Sequence, residues 1–332
     1  MSATESFDEL RVITLSGVQP GSGARQLKRG DLIGGSYRLQ SLLGRGGMGY
    51  VFCAEHQIIE KQYALKMLAP ELLNEQTRQR FEVEGRAIAN LDHPNIVKVY
   101  NMGLDNEVCP FYVMDLLHGQ SLSDCIAGSI SSTSSTGSAS STSSTSSTSS
   151  TGSGVALTVR DSLEIALQMT RGLGYAHGKG IVHRDVKPSN VILLAGDNDQ
   201  VLVKIVDFGI AKLLPSANLK NQSQTATGHV IGSPLYMSPE QCMGDCVDAR
   251  TDIYSLGCTL FEMLGGRPPF RGANAMETVM MHQNRPVPSL ADSVFFRVPC
   301  AAPGSPDWLE ALDALIGKMM AKRPEDRYQT ME

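Results

Sequence analysis

The sequence predicts an α+β protein in two lobes, a small strand-rich one followed by a larger helical one. Three observations predict it. Residues 37–68 and 96–117 read as strands around one amphipathic segment, residues beyond Thr158 take on helical periodicity, and a tract almost without apolar side chains interrupts the chain between them. At 332 residues with 42% hydrophobic content, the chain is long enough to bury a core in each lobe.

The elements follow in order. Residues 1–35 are rich in Gly, Ser and polar residues with little periodicity, and read as a flexible leader. Their start, MSATESFDEL, has no basic run and no apolar core, so it is not a signal peptide. The segments YRLQSLLG, GYVFCAEH and QYALKML suit strands, a helix is expected over 74–91, and IVKVYNMGL and CPFYVMDLL suit two more strands, closing a first lobe over 36–117. The second lobe, 118–332, carries an insertion at 129–154 with a Ser-Ser-Thr rhythm, which has nothing to bury and is expected to be disordered. After it, Thr158 and Asp161 fit a helix capping box, with Leu163, Ala166, Leu167 and Leu173 expected on one face. Residues 191–194 and 201–206 are apolar runs joined by a turn-like AGDNDQ and read as a hairpin. Ile253, Leu256, Leu260, Phe261 and Leu264 make a deeply apolar helical stripe.

Composition excludes several roles. Lys+Arg 29 against Asp+Glu 34, with no basic run, argues against nucleic acid or an anionic membrane as partner. No stretch of about 18 apolar residues is present to span a bilayer. The Cys residues at 53, 109, 125, 242, 246, 258 and 300 show no paired metal spacing and read as reduced thiols of a cytoplasmic protein.

The chemistry is carried by a few stretches. Gly44, Gly46 and Gly49, with Val51 two residues on, match G-x-G-x-x-G-x-V, and such glycines let backbone amides approach phosphate oxygens. The residues that follow read as a strand rather than a helix, which argues against dinucleotide binding, and no Gly-Lys-Ser/Thr triplet is present. Lys66 shares a strand face with Ala64. In the next helix Phe81, Glu84, Ile88 and Leu91 share one side, so Glu84 points inward and needs a partner, for which Lys66 is the candidate; Glu82 points away. In IVHRDVKPSNVILL, Asn190 directly precedes one hairpin arm and Asp207 directly follows the other, so both emerge at one end. Two hard oxygen ligands side by side suit Mg²⁺. Asp185 and Lys187 lie on the loop before them.

In this order the glycine loop, Ala64-Leu65-Lys66, Glu84, His183-Arg184-Asp185, Asn190, Asp207-Phe208-Gly209 and Ser238-Pro239-Glu240 resemble the eukaryotic-type Ser/Thr protein kinases found in bacteria, from about Tyr37 to the end of the chain. The resemblance implies a bilobal kinase fold that uses ATP with Mg²⁺, or Mn²⁺ in its place, to phosphorylate Ser/Thr hydroxyls of protein substrates. ATP would lie between the lobes. Its adenine would be packed by Val51, Ala64, Met114 and Ile192 and hydrogen-bonded by the backbone of Asp115 and Leu117, and Leu43 would also bind ATP. Gly44, Gly46 and Gly49 would cover the phosphates, Lys66 held by Glu84 would clamp them, and Asn190 and Asp207 would hold the metal. Asp185 would take the proton of the attacking hydroxyl, and Lys187 would offset charge on the transferred group.

By the same resemblance, Thr225 and Thr227 are activation-segment phosphosites gripped by Arg184, which calls for a transient homodimer if phosphorylation occurs in trans. Asp252 would brace the catalytic loop, and Arg327 would pair with Glu240. There are departures. Ser233 stands where most relatives have threonine, and Gly85 weakens the helix carrying Glu84 by up to about 1 kcal/mol. The chain also stops at Glu332, inside or just before the family's last helix, which suggests the cytoplasmic domain of a longer, membrane-anchored protein. Two other readings stay open: a kinase-shaped binding module without turnover, and a small-molecule phosphotransferase on the same core.

Overall fold

The computed structural model describes residues 13–15, 25–46, 49–69, 73–106, 109–133, 157–196, 200–208, 234–292 and 307–332. These divide into two compact units. One holds the residues up to His118 together with Phe208, and the other holds Gly119–Asp207 and the residues from Pro234 on.

The first unit is built on strands. β1 (Ile13–Leu15) pairs antiparallel with β2 (Arg25–Leu27). β3 (Leu32–Ile33), β4 (Tyr37–Gly46), β5 (Gly49–His56), β6 (Gln62–Leu68), β7 (Val99–Asp105) and β8 (Cys109–Asp115) form a six-stranded sheet in the order β3-β4-β5-β6-β8-β7, with every pairing antiparallel. The period-2 pattern of these strands gives the sheet two faces. On one, Tyr50, Phe52, Tyr63, Leu65, Met67, Phe111 and Val113 join Leu27, Ile33, Tyr37 and Leu39 in a buried core. On the other, register places Val51 opposite Lys66, Cys53 opposite Ala64, Lys66 opposite Tyr112 and Ala64 opposite Met114. The helix among the described residues of this unit, α1 (Glu75–Ala89), starts at an Asn74 cap whose side chain accepts the Thr77 N–H at 2.9 Å.

The second unit is mainly helical. β9 (Gly119–Ser121) leads into α2 (Leu122–Thr133), and α3 (Val159–Gly178) follows the insertion. β10 (Val191–Ala195) and β11 (Val201–Ile205) form the expected hairpin, with Val191 opposite Ile205 and β9 on the other edge. α4 (Pro239–Met243), α5 (Ala249–Gly265), α6 (Ala275–Asn284) and α7 (Asp307–Met319) complete it. The α3 capping box closes in both directions: the Asp161 N–H donates to Thr158 Oγ1 at 3.1 Å, and the Thr158 N–H donates to Asp161 Oδ2 at 2.9 Å. α5 is buried on nearly every side, as its apolar stripe requires.

Three expectations are corrected. Residues 25–35 are not a flexible leader. Leu27 and Ile33 are fully buried in the sheet core, and burying such side chains stabilises each by about 1.5–3 kcal/mol, enough to order short strands with no readable periodicity. The insertion does not begin as irregular chain at 129, because the α2 backbone runs on to Thr133: extending a helix is far cheaper than nucleating one, so serines can carry an end that Leu122 and Ile126 anchor. On α3 the buried face is Ile165, Ala166, Met169, Leu173 and Ala176, while Leu163 and Leu167 stand 38% and 50% exposed. That helix carries a second apolar stripe, and the stripe expected from sequence mixed the two. The remaining insertion residues, 134–154, and Gly47, Gly209, Thr225, Thr227, Ser233 and Cys300 lie outside the described residues.

Candidate active site

In the strand-rich unit the functional groups gather on the sheet face away from the aromatic core. Lys66 is 7% and Glu84 3% exposed, and Lys66 Nζ lies 3.3 Å from Glu84 Oε1. The helix phase that aims Glu84 inward sends Glu82 outward, where it pairs with Arg78 at 3.0 Å and Arg86 at 3.1 Å. Sequence reasoning missed Tyr112. Directly across the ladder from Lys66, its hydroxyl reaches Glu84 Oε1 at 3.4 Å and its ring centroid lies 5.6 Å from the Lys66 ammonium. The signal was the alternation in FYVMD, but it is readable only once β8 is paired with β6. At the glycine loop Gly44 pairs with Val51, and Gly46 with Gly49. A Cβ at Gly49 would sit 1.9 Å from the Met67 carbonyl oxygen, so only glycine fits there. Leu43 is half exposed, and Ala64 and Met114 are buried. The Asp115 N–H donates to the Lys98 carbonyl at 3.0 Å, and Leu117 is half-buried.

In the helical unit the catalytic-loop candidates converge on one carboxylate. Lys187 Nζ donates to Asp185 Oδ2 at 2.8 Å, and Asn190 Nδ2 donates to the same oxygen at 3.1 Å and to the Asp185 carbonyl at 2.9 Å. Asn190 closes the 3₁₀ turn Pro188–Asn190, and its carbonyl accepts the Val206 N–H at 3.0 Å, which brings it to the same hairpin end as Asp207. Its Nδ2 is committed to Asp185, so its Oδ1 is the end of the amide suited to a cation. With Asp207 it makes a pair of hard oxygen donors, which fits Mg²⁺, an ion that takes few protein ligands and completes its shell with phosphate oxygens and water. Among the described residues no group of three or more His, Cys, Asp and Glu could form a softer metal site. Ile192, on β10, pairs with Ser121 and Lys204.

The loop is held in a costly shape. Arg184 has φ +65° and Asp207 φ +56°, a left-handed conformation that costs a non-glycine residue about 1–3 kcal/mol unless its surroundings impose it. Asp252, fully buried near the start of α5, imposes it from one side: it accepts the His183 N–H at 2.7 Å and the Arg184 N–H at 2.8 Å, with His177 Nε2 2.7 Å away. His177 was not singled out from the sequence; among the small residues at the end of α3 it gave no separate signal. His183 accepts the Asp185 N–H on Nδ1 at 3.2 Å and faces the Val206 carbonyl through Nε2 at 3.1 Å, which requires the neutral Nε2–H tautomer. Its burial pushes the pKa down, in keeping with that form. Arg184 Nε is buried without a hydrogen-bond partner among the described residues, and burial lowers the guanidinium's pKa.

Farther along, Arg327 meets Glu240 through two parallel contacts of 2.7 Å, and Thr251 Oγ1 donates to Glu240 Oε1 at 2.7 Å. Burial pushes the Glu240 carboxyl up, and Arg327 and Thr251 more than offset that, holding it below the usual carboxylate range. Thr251 and Gln241 also belong to this neighbourhood and were not singled out from the sequence.

The family described as Protein kinase domain matches residues 37–332. A probable serine/threonine-protein kinase PknB of Bifidobacterium longum is 35% identical over 309 residues, covering 90% of this chain and 38% of that protein. Serine/threonine-protein kinase PknB of Mycobacterium tuberculosis is 34% identical over 300 residues, covering 89% of this chain and 41% of that protein. The chain therefore spans about two fifths of the length of these relatives. The crystal structure of the Mycobacterium tuberculosis PknI kinase domain aligns with TM-score 0.63 at 25% identity, covering 92% of this chain and 95% of that one.

Proposed function

The chain belongs to the protein kinase family, and on that premise we propose that it transfers the γ-phosphoryl group of ATP to Ser and Thr hydroxyls of proteins. The observation that carries the proposal is the Asp185 carboxylate, one oxygen of which is held by both Lys187 and Asn190. A base fixed in this way needs no reorganisation to receive a substrate proton. Lys66, paired with Glu84, clamps the α/β phosphates, and the glycine backbone covers them. Leu43, Val51, Ala64, Met114 and Ile192 take the adenine; with the Asp115 N–H committed to Lys98, its adenine contact falls to the carbonyl, and Leu117 offers its N–H. Asn190 and Asp207 hold Mg²⁺, which supplies charge neutralisation at the phosphates. The dependence on ATP favours a cytoplasmic site of action. No described helix is long and apolar enough to cross a membrane.

Activation follows from Arg184. A buried guanidinium nitrogen without a partner among the described residues is suited to a phosphate on the segment between Asp207 and Glu240, where Thr225 and Thr227 are the acceptors. Full activity in a Thr225→Ala/Thr227→Ala protein would dispose of that step.

The function is tested with labelled ATP, Mg²⁺ and a generic basic protein, beside Asp207→Asn. Label on Ser and Thr with the parent protein and a fall of at least about 100-fold in the variant are expected. Equal labelling, or none, rejects enzymatic transfer and leaves a binding module; transfer confined to small hydroxyl compounds points to a small-molecule phosphotransferase.

A further inference from the structure

Within the helical unit, the strained residue beside the catalytic aspartate is gripped at both ends of its backbone, and only one grip comes from Asp252. The Arg184 N–H goes to Asp252 Oδ1 at 2.8 Å, and the Arg184 carbonyl accepts from Gln241 Nε2 at 2.9 Å. Gln241 lies on α4, a short helix that directly follows Ser238.

The rest of the Gln241 side chain is committed as well. Its Oε1 accepts the Ser238 N–H at 3.1 Å, and its own N–H donates to Ser238 Oγ at 3.4 Å, which together form the capping box of α4. One amide thus does two things: its oxygen closes the helix and its nitrogen ties that helix to the catalytic loop. The neighbouring Glu240 is anchored by Arg327 and Thr251, so the anchoring end of the tie is rigid.

We propose that Gln241 is a positioning residue for phosphoryl transfer, holding the left-handed peptide at Arg184 so that Asp185 is presented in its reactive orientation. The proposal rests on the kinase reading and deepens it. The carbonyl of Arg184 belongs to the peptide that leads into Asp185, so releasing it frees the base to rotate against the fixed Asp252 grip. A displacement of about 1 Å costs an enzyme about 100-fold in rate, and losing one of several tethers is expected to cost about tenfold.

The two roles of the amide can be separated chemically. Gln241→Glu keeps an acceptor oxygen for Ser238 and is a good capping-box residue, but it replaces the donor to Arg184 with an acceptor. Gln241→Met removes both functions at similar length. For Gln241→Glu the melting temperature should fall, but by less than for Gln241→Met, the KM for ATP should match the parent, kcat should fall about tenfold, and amide hydrogen exchange in the 181–190 peptide should quicken. Gln241→Met should lose the cap's share of thermal stability in addition. Parent-like kcat or parent-like exchange in Gln241→Glu overturns the proposal, and so does a melting-temperature loss equal to that of Gln241→Met, which would make the residue a helix cap alone. A parent protein with no transfer activity brings down the kinase reading and the positioning role together, while the exchange measurement still reports whether the tie to Arg184 exists.

Discussion

The strand-rich unit and the helical unit secure their charged groups in different ways. In the first, Lys66 meets Glu84 at 3.3 Å with the Tyr112 hydroxyl at 3.4 Å, all longer than a strong charge-assisted bond. In the second, Asp252 gathers three donors within 2.8 Å, and Glu240 receives Arg327 and Thr251 at 2.7 Å. The first joins side chains of α1 and the sheet, whereas the second holds backbone N–H groups of a loop. The lesson is that the residues that impose a strained loop are held by short bonds to buried carboxylates.

Removing the Arg327 side chain should have the largest effect. Arg327→Ala leaves Glu240 buried with its main counter-charge gone, and breaking a buried pair in this way costs about 3–5 kcal/mol. Urea unfolding of the parent and the variant measures it. A loss below about 1 kcal/mol would mean that the lattice in the helical unit is no tighter than the contact in the strand-rich one.

Acid sharpens the contrast next. The helical unit buries His183 and His282, while no histidine among the described residues of the strand-rich unit is buried. Burial first and the nearby Lys322 second push His282 down to about 4. A histidine whose folded pKa is depressed stays neutral in the native state while the unfolded chain takes up the proton. Stability is therefore intact above about pH 6.5 and falls as the pH drops from there towards 4, by up to about 3 kcal/mol from His282. Glu240, depressed below the usual carboxylate range, adds its own loss only at lower pH. Melting curves between pH 7.5 and 4.5 should show the decline, and His282→Asn should flatten it; a parent that melts identically across that range refutes the assignment.

Lys66→Met tests the looser pair. The apolar stem is kept and Glu84 loses its ammonium while Tyr112 stays, so the expected destabilisation is about 3 kcal/mol, at the low end of the range for a broken buried pair and less than for Arg327→Ala, with phosphoryl transfer abolished. Retained transfer, or a stability loss equal to that of Arg327→Ala, would erase the distinction between the two units.

Legibility from sequence divides along similar lines. The strands of the sheet, the hairpin and α5 could be read because their apolar periods are long, and Glu84 could be read because a carboxylate on an apolar helix face demands a partner. Asp252 and Arg327 were placed by resemblance alone, since a single charge on a buried helix or in a turn does not say what it binds. Leu27 and Ile33 were missed because strands of a few residues have no period, and their burial depends on a sheet formed by distant sequence. Gln241 and His177 were missed for a related reason: each acts on a backbone group or carboxylate more than 50 residues away, and nothing local marks that.

Gly85 provides the smallest test and the most direct one of how loosely α1 sits. From its sequence position this glycine only weakens the helix that carries Glu84. In the structure its Cα faces the sheet, where an added Cβ would come within 2.8 Å of Met102 Cε and 3.0 Å of its Sδ, with Tyr112 Cδ1 at 3.5 Å. The crowded atoms are the far end of a flexible thioether, which can move, whereas the tyrosine ring is at ordinary contact. Gly85→Ala should therefore exchange a helix-propensity gain of about 1 kcal/mol for a repacking cost of similar size, leaving stability within about 1 kcal/mol and transfer close to the parent. Gly85→Leu adds three further carbons at the same point, and no thioether movement absorbs them. It should push α1 off the sheet, lengthen the Lys66–Glu84 contact and raise the KM for ATP while leaving the helical unit's acid response unchanged. If Gly85→Leu bound ATP as the parent does, α1 would have far more slack than a 3.3 Å contact implies. If Gly85→Ala already lost transfer, the strand-rich unit would be as finely fitted as the helical one.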